Sequence, residues 1–192
     1  MGLLILGLLL FLGAHSARIV AEPWRQAFIA QRGANAWKGL YTVVSLLGFG
    51  LLIWGYSQAR LQPVSLWHPP VALQHVASLL TVPAFVLLVA AYVPGNSIKA
   101  RWHHPMVLAV KTWALAHLLA NGTAAQMLLF GSFLLWAVAS FVAARKRDRT
   151  AGTVYASGTL GPTLLTVVLG LAAWAVFAFW GHRALIGVSP FG

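Results

Sequence analysis

"HHPMVLAVKTWALAHLLANG", residues 103–122, decides how this chain is read. The stretch is apolar enough to lie in a bilayer, yet it holds three histidines, a lysine and an asparagine. In lipid such side chains are costly, and each calls for a reason.

The remainder of the chain identifies the solvent. Of 192 residues, 60% are hydrophobic and 8% charged, with a mean hydropathy of +0.81. Soluble domains are about 45–50% apolar and about 25% charged, so a soluble core of this size cannot hide so much apolar surface. A membrane-spanning helix needs about 20 mostly apolar residues. Six segments meet this at residues 2–20, 39–56, 71–93, 104–121, 124–144 and 160–180. The runs are continuous, without two-residue alternation, which excludes a barrel. The expected fold is all-α: a polytopic membrane bundle of about six transmembrane helices forming one domain over residues 1–192.

Net charge is +11, and Glu22 and Asp148 are the only acids. The cations lie between apolar runs, where they set topology and meet anionic lipid. Arg18, Arg25, Arg32, Lys38, Lys99, Arg101, Arg145, Lys146, Arg147 and Arg149 fall on one side, and only Arg60 and Arg183 on the other. The positive-inside rule then predicts both termini outside the cytoplasm. Residues 145–149 read as a cytoplasmic anchor. No aromatic platform accompanies them, so no nucleic-acid partner is expected. Residues 1–14 lack a basic n-region and read as a retained span, with cleavage after Ala17 as the alternative. Pro83 is expected to kink the third span. Trp24, Trp37, Tyr56, Trp67, Tyr92, Trp102 and Trp180 form an interfacial belt. No Gly-xxx-Gly pair occurs, and cysteine is absent.

Of seven histidines, His68, His103 and His182 read as interfacial. His15, His75 and His117 fall within spans, and His104 opens one. Along the fourth span His104 and Lys111 share a face. Trp113, His117 and Asn121 form a second stripe. His104 and His117 lie about 20 Å apart along the helix and cannot hold one ion. No acid lies in any span, which argues against a zinc hydrolase. Two neutral imidazoles on different helices suit a haem iron. Its propionates would meet Arg18, Arg25 or Lys111. The competing reading is that each histidine is a hydrogen-bonded packing residue, and the residues alone leave both open.

"GAHSAR" (13–18), "LQHVASLLTVPAF" (73–85) and "RWHHPMVLAVKTWALAHLLANG" (101–122) together resemble the NnrU family of bacterial membrane proteins over nearly the whole chain. That family is associated with denitrification and related to 15-cis-zeta-carotene isomerase. The resemblance implies the bacterial inner membrane, a b-type haem and an axial pair of His15 and His117, with His75 and His104 matching further histidines of the isomerase. His15 lies toward the cytoplasmic end and His117 toward the other, so His75 is the better match in depth and stands as the alternative second ligand. The isomerase has Arg-His-Pro, whereas here Arg101 is displaced and the motif reads His-His-Pro. The resemblance points to a redox or isomerase role, with an apolar isoprenoid or a redox protein as partner. The alternatives are a membrane methyltransferase-like enzyme and a non-catalytic assembly or transport component. Substrate and oligomeric state are not legible.

Overall fold

The computed structural model describes residues 1–191, and among them the regular structure is helical, with two isolated bridges and no strand. The helices are α1 (Gly2–Val20), α2 (Glu22–Arg32), α3 (Ala34–Ala59), α4 (Val71–Ala90), α5 (Ser97–Trp102), α6 (Pro105–Ala120), α7 (Ala124–Ala151), α8 (Leu160–Val176) and α9 (His182–Ile186). A π-helical turn, Phe177–Gly181, joins α8 to α9. Five segments are long and apolar enough to cross a membrane: Gly2–Val20, Ala34–Ala59, Val71–Ala90, Ala124–Ala151 and Leu160–Ile186. Leu9, Leu46, Leu79, Leu135 and Phe179 are among the many large apolar side chains left exposed on them. That surface belongs in lipid, and the chain is a multi-pass integral membrane protein.

The expected fourth span, 104–121, is shorter than the others. The helix starts at Pro105, which suits a first helical position because its missing amide has no partner there anyway. It ends at Ala120, and its 16 residues cover about 24 Å against a hydrocarbon core of about 30 Å. Asn121 lies past its end and accepts from Gln126 (2.7 Å), so it does not continue the Trp113–His117 stripe. The expected loop at 145–149 is helical, because "RKRDRT" extends α7 beyond its apolar run. The polar stretch after α1 is also a helix, with Pro23 in the first turn of α2. α4 runs unbroken through Pro83.

The chain forms two compact units: one of Met1–His68 with Asn121–Ser140, the other of Pro69–Ala120 with Phe141 onward. In the first, α1 and α3 pack antiparallel. Gly7 faces the Leu52 backbone, Gly48 that of Phe11 and Gly55 that of Leu4. A Cβ at any of the three would lie within 2.6 Å of a backbone nitrogen. Such close approach through small residues gains dispersion contact where lipid leaves no hydrophobic force between helices. In the second unit, α4 packs against α6 and α8. Gly170 lies on Val86, and the Trp174 indole N–H donates to Thr81 Oγ1 (2.9 Å).

Candidate functional site

His15 belongs to the first unit. It lies on α1 among Phe11 (ring centroids 4.3 Å), Tyr41 of α3 (5.1 Å) and Trp136 of α7 (6.0 Å). Its Nδ1 lies 2.7 Å from the Phe11 carbonyl, one helical turn back. A carbonyl only accepts, so Nδ1 carries the proton and Nε2 is the nitrogen with the lone pair. Trp136 adds a second feature: its indole N–H is buried without a hydrogen-bond partner among the described residues. Beside it, α1 and α7 border an open apolar groove of about 470 Å³ lined by Leu8, Leu12, Ser16, Leu128, Ser132 and Trp136.

His117 belongs to the second unit and is held in the same way. Its Nδ1 donates to the Trp113 carbonyl (2.9 Å), and the two rings lie 5.0 Å apart. It is thereby fixed in the same tautomer as His15.

The other expected site residues have other surroundings. His75 is exposed on α4, and Lys111 is exposed on α6 without an ion pair among the described residues. Arg18 lies 3.6 Å from Glu22, which also accepts from Arg25 (2.8 Å). The cations expected for propionates at this end therefore already share an internal carboxylate.

His104 precedes α6, and its Nε2 is 2.7 Å from Asp148 Oδ2 on the polar extension of α7. Tyr155 donates to the same oxygen (3.1 Å). Next to it, His103 stacks on Tyr155 (4.1 Å, 13°) and accepts at Nδ1 from Arg145. Asp148 lies past the apolar part of α7. Burial lifts its carboxyl, but hydrogen bonds from His104 and Tyr155 and the charges of His104 and Arg145 outweigh this and hold it below its ordinary range. Burial, with Asp148 alongside, pushes the Tyr155 phenol up, so it stays a donor.

The backbone at this corner is strained. His103 has φ 69° and ψ −52°, and the His104 amide donates back to the Trp102 carbonyl (2.9 Å). This is a γ-turn of the rare positive-φ kind. For a residue with a Cβ it costs on the order of 1–3 kcal/mol and persists only where surrounding contacts enforce it. The sequence reading placed His103 at the water boundary and His104 on the span. Not visible there is the contact of His104 with Asp148, 44 residues on. The one available signal was that a lone acid sits among the cations of 145–149.

The fold and its polar residues define a polytopic α-helical membrane protein with two imidazoles locked in one tautomer on apolar helices. The family model for the NnrU protein matches residues 3–190, and the chain belongs to that family. No curated protein matches the chain, and no solved structure does.

Proposed function

We propose that this protein binds a b-type haem through His15 and His117 and serves a redox or isomerase role in the bacterial cytoplasmic membrane, linked to denitrification or to isoprenoid metabolism. The observation that carries the reading is the shared tautomer. Each imidazole spends Nδ1–H on the carbonyl one turn back, the outer contact that orients a metal-ligating histidine and presents Nε2. The donor set agrees with this, since nitrogen alone suffices for haem iron and the chain has no cysteine. The unmet Trp136 N–H beside His15 supports a bound group that brings an acceptor.

When bound, the haem would supply one-electron chemistry or Lewis acidity at iron. The chain's own part is to fix the two rings, exclude water with Phe11, Tyr41 and Trp136, and offer the α1–α7 groove to an apolar chain such as an isoprenoid. The methyltransferase alternative gains no support from the segment after the fifth span, whose single acid is engaged by His104 and Tyr155.

The test is the haem content of protein purified from haem-replete cells. Wild type should carry haem, His117→Ala and His15→Ala should lose it or change its spectrum, and His68→Ala should match wild type. If His75→Ala rather than His15→Ala removes it, His75 is the partner of His117. Protein that is folded yet haem-free overturns the proposal.

A further inference from the structure

Residues 152–159 are anchored at two places of opposite character within the second unit. The far anchor rests on a buried asparagine and has no ionisable group, although Gly95, Ser97 and Thr159 themselves are exposed. Asn96 is 1% exposed, and its side chain donates to Ala90 O and Val93 O and accepts from the Lys99 amide. Over this knot the Thr159 amide donates to Gly95 O (2.9 Å), and Thr163 Oγ1 accepts from the Ser97 amide (2.9 Å). Gly158 lies so close that a Cβ would stand 2.2 Å from Ser97 N. The near anchor is made of side chains. It consists of Asp148 with His104 and Tyr155, and His103 with Tyr155 and Arg145. The His104 and Asp148 side chains are 20% and 16% exposed, so water reaches the bond. The segment between the anchors is mostly exposed, with Val154 at 91%.

Only the near end is held through an ionisable side chain, so a change of charge at Asp148 releases the strap at that end. The strain at His103 points the same way, because its γ-turn is held by the contacts that the ionic end supplies. We propose that Asp148 and Tyr155 form a releasable clasp which closes residues 152–156 over His103 and His104, and that neutralising Asp148 opens it and exposes both imidazoles at the membrane surface. The groups facing Asp148 are His104 from the α5–α6 corner, Arg145 from its own helix and Tyr155 from the strap, with His103 stacked on Tyr155. Of the nearby cations on α5, Lys99 Nζ is on the Ala91 carbonyl (3.1 Å) and Arg101 is exposed. A carboxylate is the only negative charge among them, so its protonation leaves His104 without a counter-ion and frees Tyr155. The inference is independent of haem.

The absence of cysteine makes the test direct. A nitroxide on Val154→Cys in the full chain, reconstituted in vesicles, reports strap mobility. Asp148→Asn should give a severalfold larger mobile fraction than the parent, with Tyr155→Phe intermediate. Arg149→Gln, which removes an exposed neighbouring charge, should leave the spectrum unchanged. Acylation of His103 and His104 by diethyl pyrocarbonate, read by mass spectrometry, should rise in parallel. If Asp148→Asn is lost from the membrane, acidifying the labelled parent serves instead and should mobilise it reversibly. An unchanged spectrum in Asp148→Asn or in acid, or an equal effect of Arg149→Gln, overturns the clasp.

Discussion

His15 and His117 are tolerated in apolar helices because each pays its Nδ1–H into a carbonyl of its own helix (2.7 and 2.9 Å). The same bond fixes which nitrogen faces outward. Trp136 is different: its N–H is buried and unmet next to His15, a state with a desolvation cost that natural folds rarely leave uncompensated. Trp136→Phe keeps most of the ring and deletes the donor. If a bound group accepts that hydrogen bond, worth about 1 kcal/mol net, the variant should hold haem about five-fold more weakly, measured by transfer to apomyoglobin. If the N–H is simply orphaned, Trp136→Phe should leave haem loss unchanged and raise thermal stability. Lys111 invites another substitution. It is exposed on α6 about 9 Å from the helix start, and its side chain leans toward that start. Lys111→Met should leave the haem spectrum intact and, by removing a charge that is costly in lipid, raise membrane insertion if the ammonium only snorkels to headgroups.

α1 and α3 are joined by glycines that no short motif announces. Gly48 and Gly55 are seven residues apart, two turns along one face of α3, and both abut the α1 backbone. An added methyl has nowhere to go, so Gly55→Ala should cost about 1–3 kcal/mol and lower the melting temperature in detergent. Gly50→Ala, with nothing within 4 Å, should be neutral or slightly stabilising through helix propensity. At the other unit's clasp, pH acts with a defined sign. The folded-state carboxyl of Asp148 lies below its ordinary value. Its contribution is therefore complete above the ordinary carboxylate range and is lost as pH falls through the depressed value, below about pH 4. Hydrogen exchange of residues 152–156 should quicken, relative to its intrinsic rate, in that window and not between pH 5 and 6.

The fold of the molecule was legible because lipid imposes a crude and strong rule: apolar runs of about 20 residues become helices. Hydropathy cannot see where such helices stop. It missed α2, which is polar, and the last turns of α7, where "RKRDRT" is a good helix former without being apolar. It overran α6, because Pro105 and the turn at His103 set that boundary locally. Polar residues in lipid flagged His15 and His117 for the same reason that apolar runs flagged the helices. The His104–Asp148 contact stayed hidden, since it joins a span opening to what read as a loop. Both acids of the chain are internal counter-ions, Glu22 to Arg18 and Arg25, Asp148 to His104. Exposed cations such as Lys146 and Arg149 lie where anionic headgroups can meet them, and the protein should extract most readily from vesicles poor in anionic lipid. The central claim is axial ligation by two imidazoles. Low-temperature electron paramagnetic resonance of the purified ferric protein tests it most directly. The account predicts a low-spin signal typical of two nitrogen ligands, converted to high spin or lost in His117→Ala. A high-spin signal indifferent to His15→Ala, His75→Ala and His117→Ala, or no iron signal from haem-replete cells, would contradict it.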